Sequence, residues 1–135
     1  MALVKNPGVE WFLIYHPETP HAEIICCRPA AHDRALLDFC YEYLGCSSIE
    51  IVKPCALDQM KESLLMVVDE EGLLRERTAN PMGSLLYGHL IVGPVIVGQP
   101  VIRDGEPDVG GFDSIEEAIR ISEKLHKFRV EGRCI

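Results

Sequence analysis

The chain is short of basic residues and of aromatics: 13 Lys plus Arg stand against 21 Asp plus Glu, and Phe, Trp and Tyr make up 7% of 135 residues. The net charge of −8 excludes a polyanion-binding surface spread over the whole molecule. Metal motifs are missing as well. Despite six Cys and five His, there is no Cys-x-x-Cys, His-x-x-x-His or His-Glu-x-x-His, so no metal is expected. The absence of a Gly-x-x-x-x-Gly-Lys-Ser/Thr loop and of Gly-x-Gly-x-x-Gly argues against nucleotide hydrolysis and dinucleotide cofactors, and no cofactor is expected. The first residues carry one Lys and no long apolar run, which predicts a cytoplasmic protein with reduced thiols rather than a disulfide scaffold.

One further absence concerns charge of either sign. Between Arg77 and Arg103 there are 25 residues without Asp, Glu, Lys or Arg, long enough to span a bilayer. Pro81, Pro94, Pro100 and the evenly spaced Gly83, Gly88, Gly93 and Gly98 would break such a helix repeatedly. The stretch therefore reads as buried strands punctuated by bends, and no membrane association is expected. Residues 1–70 carry a net −6 and residues 71–135 a net −2, so the acidic excess lies early.

What is present is a patterned α+β chain with 47% hydrophobic residues, read as a single domain over residues 1–135. Residues 10–16 and 22–27 have strand character and are separated by a Pro-rich turn containing His16 and His21, read as exposed turn histidines. Adjacent Cys26 and Cys27 on such a strand point to opposite faces, so at most one is expected to be buried. Leu36, Leu37, Cys40 and Leu44 recur at helical spacing before Gly45. Residues 49–52 alternate as a half-buried strand. Asp69-Glu70-Glu71-Gly72, set between apolar residues 64–68 and residues 73–78, predicts a β-hairpin with Arg75 and Arg77 on one face of its second strand. Asn80 followed by Pro81 predicts an N-cap and a short helix over 81–87, with Gly88 as its stop. Residues 89–92 and 95–97 read as buried strands, and 103–111 as a polar loop, the most mobile segment, with Gly110-Gly111 as its hinge. A final helix opens on the capping box Ser114 and Glu117 and buries Ala118, Ile121, Leu125 and Phe128 along one face. The expected architecture is a mostly antiparallel sheet of five to six strands, with the two main helices packed on one face.

Residues from about 23 to 128 resemble an uncharacterised group, domain-of-unknown-function family 3846. The resemblance rests on Arg28-Pro29, on Tyr43-Leu44-Gly45 followed by Ile49–Val52, and on Val67-Val68-Asp69-Glu70-Glu71-Gly72. It continues through Asn80-Pro81-Met82-Gly83-Ser84-Leu85-Leu86-Tyr87-Gly88, Leu90–Gly98 and the closing helix at Ser114–Ala118. Residues 1–22 form an extra N-terminal strand region. Membership implies a small phage or mobile-element accessory protein, and it carries over no catalytic residue.

Cys55 is preceded by no nucleophile elbow, so no catalytic residue is assigned. The candidate ligand-binding set is Asn80, Tyr87 and His89 around the short helix, with Arg75 and Arg77 as a small basic patch beside it. Each residue has a structural alternative: cap, core ring, strand end or surface charge. The leading expectation is a non-enzymatic binding or regulatory module acting through a protein partner or self-association, without direct nucleic-acid binding. Two alternatives are an acidic DNA mimic that antagonises a host DNA-binding enzyme, and a small-molecule or nucleotide-derivative binder or hydrolase with its pocket at Tyr87 and His89.

Overall fold

The computed structural model describes residues 8–31, 33–54 and 62–131. Cys55 and Cys134 lie outside the described residues, as does part of the N-terminal region. In chain order the elements are β1 (Glu10–Tyr15), β2 (Glu23–Cys27), a 3-10 turn (Pro29–Ala31), α1 (Ala35–Leu44), β3 (Ile49–Val52), β4 (Leu65–Asp69), α2 (Pro81–Tyr87), β5 (Val95–Arg103), β6 (Glu106–Gly110) and α3 (Ile115–Glu131). The six strands among the described residues join one sheet of order β2-β1-β5-β4-β3, with β6 paired to β5 and each of these pairings antiparallel. The chain is thus α+β with a mostly antiparallel sheet. No helix among the described residues is long and apolar enough to cross a membrane.

The central strands are apolar at consecutive positions: Phe12, Leu13, Ile14, Met66, Val67, Val95, Ile96 and Val97 are all fully buried. Successive strand residues face opposite sides, so such runs require cover on both faces of the sheet. That cover comes from different helices. Leu13, Tyr15, Met66, Val95 and Val97 pack with Met82 and Leu86 of α2 and with Ala118, Ile121, Leu125 and Phe128 of α3. Phe12, Ile14, Val67 and Ile96 pack with Phe39, Cys40 and Leu44 of α1. The two main helices therefore lie on opposite faces, correcting the expectation of a shared one. The uninterrupted apolar runs were the clue, because a strand with one wet face alternates.

Local signals explain the helices. Ser114 Oγ accepts from Glu117 N–H at 3.1 Å, and Glu116 and Glu117 open α3 while Arg129 closes it, as the helix dipole favours. Asn80 caps α2, its Oδ1 accepting from Gly83 N–H at 2.9 Å. Gly45 ends α1 in the left-handed region, with φ 64°.

Three local expectations are corrected. Residues 73–78 do not form a hairpin strand but a tight turn in which Arg75 N–H donates to Glu71 O and Arg77 N–H to Gly72 O. Residues 89–92 are irregular apart from a single bridge between Val92 and Ala79, because Ile91 is committed to Ser84 and Asn80. Residues 103–111 are not a mobile loop. β5 runs unbroken through Gly98 and Pro100 to Arg103, turns at Asp104-Gly105 with φ 50° and 79°, and returns as β6. Asp-Gly with both residues left-handed is the favoured two-residue hairpin turn, a signal available in the sequence.

Candidate functional site

Asn80 lies wholly inside the protein. Besides capping α2, its Nδ2 donates to Tyr15 O at 2.9 Å and to Gly93 O at 2.8 Å, tying β1, α2 and the approach to β5 together. Arg75 and Arg77 do not flank one another on a strand. Both guanidiniums curl back onto Asp69 Oδ2, at 2.9 and 3.0 Å, and donate onward to Gly45 O and Leu44 O at the C-terminus of α1. The Asp69 side chain is 1% exposed and also accepts from Glu71 N–H at 2.9 Å. Two cations placed at a helix C-terminus oppose its partial negative charge, so this cluster fastens α1 to the end of β4. Arg77 also packs against Gly93, whose φ of 76° favours glycine and where a Cβ would stand 3.0 Å from Arg77 Nε. The sequence-selected residues thus separate into two groups. Asn80, Gly93, Arg77, Asp69 and Arg75 form one connected scaffold that runs from the core to the exposed Arg75, while Tyr87 and the exposed His89 meet edge-on beyond α2, with ring centroids 5.9 Å apart.

Of the other described histidines, His16 Nε2 lies 3.1 Å from Glu23 Oε1, and the His21 and His126 rings meet at a tilt with centroids 4.9 Å apart. Among the described residues no group of three or more His, Cys, Asp or Glu is placed to hold a metal ion. Burial pushes the Cys40 thiol up to about 12 and the Cys27 thiol up to about 11, which removes the thiolate nucleophile from both.

A different region forms an apolar concavity, and no candidate residue pointed to it. β6 is followed by Phe112, whose backbone exchanges two hydrogen bonds with Trp11, so β6 lies on the β1 side of β5. β4 meets β5 only as far as Leu65 opposite Gly98. On the β4 side, β5 residues 99–103 consequently have no strand partner among the described residues. This gap opens into a groove of about 500 Å³. Register explains its lining: Ile51 pairs with Val67, Pro100 with Val109 and Ile102 with Pro107, and all of these, with Leu65, face the α1 side of the sheet. α1 has ten residues, about 15 Å of helix, and its cluster with Phe12, Ile14, Cys27, Val67, Ile96 and Val109 does not include Ile51 or Ile102. Beyond it Ile51 is 45% and Ile102 70% exposed.

The groove wall is braced from behind. Arg103 donates to both carboxylate oxygens of Glu10, at 2.7 and 2.9 Å, and Glu10 Oε1 accepts from Gly111 N–H at 2.7 Å, pinning the β5–β6 hairpin to β1. The hairpin tip is acidic, with Asp104 and Glu106 exposed; Asp108 also borders the groove, but its carboxylate is held by Arg103 at 3.3 Å. Volume, apolar lining and preformed walls are properties of a binding site.

No family model matches the chain, and no curated protein matches it. Among solved structures, the crystal structure of small RNA methyltransferase HEN1 matches with a TM-score of 0.54 at 13% identity, over 83% of this chain. The chain spans 15% of the length of that one. At this identity the likeness concerns the fold alone.

Proposed function

We propose that the protein is a non-enzymatic binding module that holds an apolar protein segment in the groove between the β3–β4 edge and the β5–β6 hairpin. The observation that carries this reading is the set of large apolar side chains, Ile51 and Ile102 foremost, left exposed around a strand edge that has no partner among the described residues. Exposed apolar patches with polar rims mark interaction surfaces, and unpaired edges accept further strands. The acidic hairpin tip favours a partner segment in which basic residues adjoin the apolar ones.

The test is selection of peptides from a random display library against the native protein and against Ile102→Asp. Peptides with an apolar core and adjoining Lys or Arg that bind the native chain and lose at least tenfold in affinity on the variant support the reading. A selection that enriches nothing, or peptides indifferent to Ile102→Asp, would overturn it. The pocket alternative at Tyr87 and His89 is addressed by thermal-shift screening against nucleotides with a His89→Ala control. A ligand shift abolished by that change would favour the small-molecule reading instead.

A further inference from the structure

The sheet order ends on β2 and β3, and the two edges are built differently. β3 carries Glu50 inside the strand and is followed directly by Lys53-Pro54, charges and a proline of the kind that keep an edge from pairing. β2 has no charge or proline between Glu23 and Arg28: Ile24 and Ile25 are half-buried and Cys26 is exposed. Among the described residues its strand partner is β1 alone. The ladder shows which backbone groups of β2 are left over. Trp11 N–H and C=O both pair with Phe112, so Trp11 turns away from β2, and its pairing with Cys26 is a site without hydrogen bonds. By alternation Glu23, Ile25 and Cys27 bond to β1, while the N–H and C=O groups of Ile24 and Cys26 point at the open edge.

We infer that this edge joins a second copy of the chain, the β2 strands lying antiparallel about a two-fold axis through Ile25. That register overlaps Glu23–Cys27 with itself over its whole length. Ile24 of each copy then faces Cys26 of the other, and each such pair exchanges N–H to C=O bonds in both directions, so every outward group of Ile24 and Cys26 finds a partner. Ile25 meets its own counterpart at the axis, where the strands approach most closely. Charge order favours the chain's own strand as the partner. Because the strands run oppositely, Glu23 of one copy and Arg28 of the other fall at the same end of the ladder, one position apart. Both charges are available: Glu23 is 51% exposed beside its contact with His16, and Arg28 is exposed. Residues 22–28 are neutral in sum within a chain of net charge −8, so two acidic molecules meet where repulsion is least. The contact is isologous and closes at the dimer, with one sheet continuous through both copies. It does not use the groove, whose lining comes from β3, β4, β5 and β6.

The experiment is sedimentation velocity on the full chain, with its thiols kept reduced, over a wide concentration range. The native chain should show a monomer–dimer equilibrium and no larger species. Cys26→Pro removes an N–H that points outward and leaves the β1 ladder intact, so it should keep the native circular dichroism and sediment as a monomer wherever the native chain is a dimer. Cys26→Lys, which sets a charge on the edge, serves in its place if the proline variant fails to fold. The register is read by Ile25→Cys in a Cys26→Ser background. Oxidised glutathione should link position 25 of one copy to position 25 of the other through a disulfide, the glutathione being reduced to its thiol, and peptide mass spectrometry identifies the link. A native chain that stays monomeric at every concentration overturns the inference. So does a dimer that persists in both Cys26 variants, or one in which position 25 does not cross-link.

Discussion

Replacing Asp69 by alanine probes the scaffold that holds both the turn and the end of α1. The carboxylate is almost completely buried, receives Arg75 and Arg77 on one oxygen and accepts the Glu71 amide on the other. Removing one member of a buried pair costs about 3–5 kcal/mol, because the remaining charges stay in place without their counterion. Arg75 is 46% exposed and regains water readily, which lowers its share, whereas Arg77 is 21% exposed and keeps only its bond to Leu44 O. The expected loss is therefore about 3 kcal/mol, weighted toward Arg77. Asp69→Asn retains an acceptor for the Glu71 amide and should lose about half as much. Urea unfolding followed by circular dichroism measures both, with an unchanged slope showing that stability alone has moved. An Asp69→Ala variant within about 1 kcal/mol of the native chain would refute the scaffold argument.

Other outcomes follow from the same structure. Asn80→Ala removes a cap and two buried donor contacts at once, and should cost about 2–4 kcal/mol by urea unfolding. Gly98→Ala would set a methyl group 2.3 Å from Gly110 O, so its soluble yield should collapse, whereas Gly105→Ser, in open space but at φ 79°, should cost only about 1 kcal/mol by the same unfolding measurement. Arg120, with Lys124, holds the Glu62 carboxyl below its ordinary value. A carboxylate depressed on folding adds stability above its unfolded value and loses it as pH falls through the folded one, so the urea-midpoint gap between the native chain and Glu62→Gln should close on acidification from pH 7 to below 4. Alkylation of the native protein followed by peptide mass spectrometry should label exposed Cys26 and spare Cys27 and Cys40.

Elements written in local chemistry were readable from the sequence alone. The Ser114–Glu117 cap, the four-residue apolar face of α3, Asn80 ahead of Pro81, and Gly45 after Leu44 each act within a few residues, and each stands where the pattern put it. What escaped depends on contacts far apart in the chain. Residues 73–77 carry strand-like composition, yet they curl because Arg75 and Arg77 return to Asp69 and reach the carbonyls of Leu44 and Gly45, some thirty residues earlier. Glu106-Pro107-Asp108 has poor strand propensity but is held by the Asp104-Gly105 turn and by Arg103 on Glu10. The groove was hidden for a similar reason: Ile51, Leu65, Ile102 and Pro107 come from four strands, and only the register makes them neighbours.

The central claim is that the groove beside Ile102 is where this protein meets its partner. Amide chemical-shift mapping of the isotope-labelled full chain, titrated with a display-selected peptide of apolar core and basic flank, tests it most directly. The account predicts that the largest shifts fall on residues 49–52, 65 and 99–109, and that they vanish in Ile102→Asp. Saturable binding whose shifts cluster instead around Tyr87 and His89, or on the outer face of α3, would contradict it.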